Sequence, residues 1–256
     1  MSFIISTVTD GVMHVQFNRP ERKNALTDAM YLSLAEAVDD ASQRTDVKAL
    51  VFSGSQGVFT AGNDLDSFVS NPPSTIDAPV FAFLRKIAAF EKPALAAVEG
   101  LAIGVGTTML LHCDLVYAGE NARFALPFVP LGLSPEAASS LLLARVAGHQ
   151  KASEKLLFGD TFSIEEADRL GFITKVLPAH EVLEYTLAQA RRLVTLPQGS
   201  IAATKSLMKS AAGSGQTLSH LENEVTVFAE RLQGPALKEA VKAFAEKRKP
   251  VFSGMH

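Results

Sequence analysis

The stretch EGLAIGVGTTMLLHCD, Glu99 to Asp114, packs three glycines into seven residues and then runs apolar, with no acid until its end. Backbone left bare in this way binds through N–H groups rather than side chains. Two apolar runs flank it, KPALAAVEG before and DLVYAG after, and both read as buried strands. Strand, glycine loop, helix and strand is the rhythm of a layered α/β structure.

The rhythm extends toward the N-terminus. FIISTV and VMHVQF flank an Asp10-Gly11 turn, and Met13, Val15 and Phe17 alternate with His14 and Gln16, which predicts a hairpin. After the polar loop NRPERKNA, Thr27 or Asp28 can cap a helix reaching about Arg44, and KALVFSG is a buried strand. GVFTAGNDL then runs into a helix capped by Asn63 or Asp64, followed by the turn-rich SNPPSTIDAP and a helix over about 79–90. Downstream the pattern turns helical, at 135–147, 151–158, 164–170 and 180–194, with one short strand, ITKVL. Beyond Pro197 only three helices are expected, near 199–210, 216–232 and 235–247. Residues 1–197 therefore read as the α/β core and 198–256 as a helical tail, which must bury its faces on the body or on another subunit.

Of the 256 residues, 47% are hydrophobic and 20% charged, which fits a globular chain with a sizeable core. With 24 Lys and Arg against 27 Asp and Glu, no basic field draws in nucleic acid or membrane, so neither is expected as a partner. The single cysteine, Cys113, suits a reducing compartment, and MSFIISTVTDG lacks the pattern of a signal peptide. A cytoplasmic location is the expectation.

Two loops present backbone donors at helix starts, Ala61 and Gly62 in FTAGNDL and Gly104-Val105-Gly106 in the opening stretch. A dinucleotide loop would need a third glycine where Met109 stands, and a P-loop would need a lysine before Thr107-Thr108. Two such donors converging on one oxygen would instead make an oxyanion hole. His112, Cys113 and Asp114 are consecutive and point in different directions, so no metal site is expected.

The segments NRPERKNAL, FTAGNDL, EGLAIGVGTTMLLHCDLVYA, ARFALPFVPLGLSPEAASSLLLARVAG and EEADRLGFITKVLP, in that order, resemble the crotonase family, the enoyl-CoA hydratase/isomerase superfamily. The resemblance implies a spiral of repeated strand–strand–helix units with a C-terminal helical trimerisation region, assembled as a homotrimer or a dimer of trimers. It implies an acyl-CoA thioester as substrate, the coenzyme being part of that substrate, with no separate cofactor and a place in fatty acid metabolism. By the same resemblance the thioester oxygen lies between the amides of Ala61 and Val105. The family commonly has glycine at the second place, so Val105 serves only if its φ stays negative. Arg22, Lys23 and Ala25, with Asn63, Asp64 and Leu65, match its coenzyme A loops, and Phe244 and Lys247 match a tail segment that reaches the coenzyme from a neighbouring subunit.

Hydratases of the family use two glutamates, and those places hold Thr108 and Phe128 here. Glu136, in LGLSPEAASS, is similar to the catalytic glutamate of the family's Δ3,Δ2-enoyl-CoA isomerases. A double-bond shift needs one group that takes a proton at C2 and returns it at C4, so one carboxylate suffices. Leu126, Phe128, Leu131 and Leu133 imply apolar surroundings that raise the pKa of that base, and Phe128, Leu133 and Thr108 are expected to border the acyl group. The bland alternative places Glu136 in the first turn of a helix, where the dipole favours acids. An isomerase is the leading expectation. A hydratase using Glu136 with water, or an acyl-CoA binding protein without chemistry, are the alternatives.

Overall fold

The computed structural model describes residues 2–211 and 213–255. β1 (Ile4–Thr9) and β2 (Val12–Phe17) pair antiparallel, and φ values of 50° at Asp10 and 77° at Gly11 give the two-residue turn that the Asp-Gly pair favours. α1 (Asp28–Gln43) starts at Thr27, whose side chain accepts the Met30 amide, and leads to β3 (Ala49–Ser53), parallel to β2. α2 (Leu65–Ser70) and α3 (Pro79–Ala89) return the chain to β4 (Ala94–Val98), parallel to β3.

At Glu99-Gly100 the chain leaves one sheet for another. Gly100 has φ 59°, and a Cβ there would stand 2.2 Å from the Gly57 carbonyl oxygen, so only glycine fits this corner. β5 (Leu101–Ile103) opens the second sheet, and α4 (Val105–Thr108), continued by a 3-10 turn (Met109–His112), leads back to β6 (Leu115–Gly119) in the first. β7 (Arg123–Ala125) then lies parallel to β5. Each unit thus gives one strand to each sheet before its helix. Single bridges at Leu26–Asn63 and Thr60–Ala102 carry the second sheet back through the earlier units.

The remaining elements are α5 (Ser139–Ala147), α6 (His149–Phe158), β8 (Phe162–Ser163), α7 (Ile164–Leu170), β9 (Lys175–Leu177), α8 (Val182–Val194), α9 (Gln198–Ala211), α10 (Ser214–Leu232) and α11 (Pro235–Ala245). The first sheet runs β1-β2-β3-β4-β6-β9 and the second β5-β7-β8. α8 covers one face of the large sheet, packing Val182 and Ala190 with Val51, Leu95 and Tyr117. The other face joins the main core, where Phe17, Phe52, Phe59 and Phe83 are fully buried. Each such ring contributes ~1.5–3 kcal/mol of burial. Leu221, Val225 and Phe228 of α10 belong to this same core, so the tail is packed into the body, with Phe228 edge-on to Phe68 and Phe81.

Two expectations are corrected. The three residues of β5 lie in what reads as loop, because a three-residue strand carries no period of its own. The helix expected over 135–147 starts only at Ser139, because Ala137 and Ala138 take left-handed φ values of 61° and 54°. Glu136 therefore sits in a turn ahead of the helix, and the helix-dipole account of it fails. No helix among the described residues is long and apolar enough to cross a membrane.

Candidate active site

The second loop forms as the sequence requires. Gly104 takes φ 55° and ψ −118°, a conformation open to glycine, while Val105 begins α4 and is not among the residues of positive φ. The condition on a β-branched residue here is met. The Gly104 carbonyl accepts the Thr107 and Thr108 amides, both at 2.9 Å. The trans peptide then turns the Val105 N–H the opposite way, out of the helix start, and among the described residues it meets no acceptor.

In the first loop the Ala61 amide donates to the Lys23 carbonyl at 3.0 Å, so the expected donor at Ala61 is already engaged. The next free amide is that of Asn63. The Gly62 carbonyl accepts the Leu26 amide at 2.8 Å, and the trans geometry of the Gly62–Asn63 peptide sends the Asn63 N–H away from Leu26, where no described residue accepts it. Gly62, at φ 88°, abuts the second loop so closely that a Cβ would lie 2.8 Å from the Ile103 carbonyl oxygen. The pair of unspent amides on adjoining loops is therefore Asn63 and Val105. The Tyr31 hydroxyl donates to Asn63 Oδ1 and holds that residue from the core side.

Glu136 is 2% exposed, and its Oε1 accepts the Thr108 hydroxyl at 2.9 Å. Thr108 is the last residue of the turn that Val105 begins, and the two are a single helical turn apart, ~5 Å along the axis. The second amide and the hydroxyl that bonds the acid thus share one helical turn. Burial pushes the Glu136 carboxyl up to about 8; the Thr108 hydrogen bond opposes the shift and the Glu224 charge adds to it. Burial likewise raises the Tyr31 hydroxyl, with the charges of Glu136 and Asp28 contributing.

The turn carrying Glu136 is strained, since each alanine at left-handed φ costs ~1–3 kcal/mol. Its neighbours hold it. His112 Nε2 lies 2.8 Å from the Ala137 carbonyl oxygen, and burial lowers the imidazole pKa to about 4, so a neutral ring donates that bond. The Phe128 carbonyl accepts the Leu131 and Leu133 amides, and both Phe128 and Leu133 are 6% exposed.

The residues expected at coenzyme A divide. Arg22 and Lys23 are exposed at the mouth of the first loop, with Arg22 paired to Asp66 at 2.5 Å and to Asp64 at 3.5 Å. Leu65 is 37% exposed beside them. Asp64 is committed elsewhere: it caps α2 through the Ser67 amide and pairs with Arg19 at 2.7 Å. Burial acts to raise its pKa, but the Ser67 amide and the Arg19 and Arg22 guanidiniums outweigh it and hold the group below the usual range. The Ala25 amide is taken by the Arg22 carbonyl, and its own carbonyl accepts Arg19 Nη1 at 2.9 Å, which leaves that oxygen a second lone pair. Asp64 thus shapes the loop through its bonds to Ser67 and Arg19. Phe244, 70% exposed, and Lys247 lie at the end of α11, which packs on the 129–131 turn. Sequence reasoning missed Tyr31, His112 and Glu224.

A buried carboxyl raised to about 8, bonded to the turn that carries one free amide, with a second free amide on the adjoining loop, is an arrangement suited to gathering charge on a carbonyl while a proton moves. The chain belongs to the enoyl-CoA hydratase/isomerase family, whose model matches residues 7–255. It is 33% identical over 264 residues to the 1,2-epoxyphenylacetyl-CoA isomerase of Escherichia coli, covering 99% of both chains. It is 32% identical over 256 residues to the 2,3-dehydroadipyl-CoA hydratase of the same organism, covering 99% of this chain and all of that one. The solved enoyl-CoA hydratase/isomerase of Pseudoalteromonas atlantica superposes with a TM-score of 0.93 at 36% identity, covering 98% of this chain and 100% of that one. The fold is that of the family, and the chain is an acyl-CoA-processing enzyme.

Proposed function

We propose that the chain is a Δ3,Δ2-enoyl-CoA isomerase. Ionised Glu136 takes a proton from C2 of a 3-enoyl thioester, the electron pair moves into the C1–C2 bond, and the charge gathers on the thioester oxygen between the Asn63 and Val105 amides. The same carboxyl returns its proton to C4, leaving the double bond between C2 and C3. Proton and charge balance without a further acid, and the scheme needs no cofactor.

The observation that carries this reading is the Thr108–Glu136 pair: where a hydratase of the family would have one of its two glutamates, a neutral hydroxyl supports a single buried acid. A like-charged neighbour at hydrogen-bond distance would serve water addition; a hydroxyl tunes one base. Purified protein should convert 3-enoyl-CoA to 2-enoyl-CoA, and Glu136→Gln should not. Full activity in that variant would remove the mechanism. The equal likeness to a hydratase supports the second reading, in which Glu136 directs water onto 2-enoyl-CoA; hydration by the wild type that Glu136→Gln abolishes would select it.

For assembly, we read the tail as an interface between copies in a homotrimer or a dimer of trimers. Leu207 (71% exposed), Met208 (65%) and Phe244 (70%) lie on its helices, an apolar load that a second copy would cover. Arg22, Lys23 and Leu65 would receive the coenzyme, with Phe244 and Lys247 reaching it from the next subunit.

A further inference from the structure

We propose that Glu224, on the C-terminal helix α10, is the positioning residue of this site, clamping the strained turn that carries Glu136. The inference rests on the reading of Glu136 as the base. Glu224 is 7% exposed, and its Oε1 accepts both the Ser140 amide at 3.0 Å and the Ser140 hydroxyl at 2.5 Å. Ser140 is the second residue of α5, so a carboxylate from a distant helix performs the capping that a local side chain ordinarily supplies. The local cap position is Ala138, which has no polar side chain and is itself left-handed. Of its own, the turn has the Ser139 amide donating to the Glu136 carbonyl at 3.0 Å.

It is gripped from two sides as well. His112 takes the Ala137 carbonyl from one side, and Glu224 takes the start of α5 from the other. The other Glu224 oxygen, Oε2, is buried without a partner, as is the hydroxyl of Ser139 next to Ser140 in the chain. A serine or asparagine at position 138 would cap α5 without burying an acid. What the acid adds is charge behind Glu136. Glu136 faces Thr108 from α4, Tyr31 from α1 and Glu224 from α10, while Glu224 faces Ser140 from α5 and His220, at 3.5 Å, from its own helix. Burial is the main cause of the raised Glu136 carboxyl, and the Glu224 charge adds to it; burial raises the Glu224 carboxyl too, opposed by its Ser140 bonds and by His220, and its grip holds the start of α5. The tail is in this way part of the catalytic apparatus.

The test uses Glu224→Gln and Glu224→Leu in the full chain, with the Glu136 carboxyl followed by carbon-13 NMR titration and assigned through Glu136→Gln. Glu224→Gln should lower the pH at which Glu136 ionises and move the acid limb of kcat/KM the same way with KM unchanged. Glu224→Leu, which also loses the clamp, should lower kcat at least about tenfold while KM stays within about twofold. A Glu136 titration unchanged by Glu224→Gln overturns the proposal, and so does wild-type kcat in a folded Glu224→Leu. If the wild type does not turn over 3-enoyl-CoA, the isomerase reading fails, while the carboxyl titration still reports whether Glu224 acts on Glu136.

Discussion

The Thr108 hydroxyl stands 2.9 Å from the Glu136 carboxyl, and the same oxygen lies 3.4 Å from the Val105 carbonyl, so one side chain ties the buried acid to the turn that presents a free amide. Removing it should leave the acid in place but less willing to ionise. A hydrogen bond to a charged group is worth ~1.5–3 kcal/mol, or about one to two pH units. Thr108→Val should therefore move the acid limb of kcat/KM to higher pH by about that much, with the plateau rate nearly kept.

The wild-type profile follows from the same group. With the Glu136 carboxyl raised to about 8, the base is mostly protonated at neutral pH, so kcat/KM should climb from about pH 6, be half-maximal near 8 and level above about 9. A limb centred near 4.5 would mean that the carboxyl is solvated.

Stability carries the opposite sign. The folded pKa of Glu136, about 8, lies above its ordinary 4.5, so between those values the native state holds more protons than the unfolded chain and loses stability as pH rises. Glu136→Gln removes this loss. Its melting temperature relative to wild type should rise steadily from pH 5 to pH 8.5 in scanning calorimetry.

Val105 supplies only its amide to the chemistry, and it stands at the first position of α4, where proline is tolerated because the N–H is unbonded. Val105→Pro should keep the fold, by circular dichroism, and lose ~10²–10³ in kcat, the worth of one oxyanion donor. Val105→Gly keeps the donor and should lose stability, about 1–3 kcal/mol, more than rate.

Tyr31 acts on the first donor through its bond to Asn63 Oδ1. Tyr31→Phe should cost about 1 kcal/mol of stability and reduce kcat severalfold, with KM little changed, because Asn63 then loses its anchor rather than its amide.

Much of this was legible in the sequence. The hairpin, the buried strands and most helix ends follow from period, from Asp10-Gly11 and from Thr27, all of which act locally. β5 and β8 were not, since strands of two or three residues exist only through their partners. Glu136 could be singled out, but its turn could not: Ala137 and Ala138 are left-handed, which alanine does not announce, and the partners next to them, His112 and Glu224, come from elsewhere in the chain. The exchange of Ala61 for Asn63 has a similar origin: a glycine loop announces free amides, and only the partners of Lys23 and Leu26 decide which peptide faces outward.

A crystal structure with a bound acyl-CoA enolate analogue tests the central claim most directly. The account places the thioester oxygen 2.7–3.1 Å, about the usual oxyanion distance, from both the Asn63 and Val105 amides, with the Glu136 carboxyl spanning C2 and C4. A thioester oxygen bound by the Ala61 amide, or a Glu136 side chain turned away from the acyl group, would contradict it.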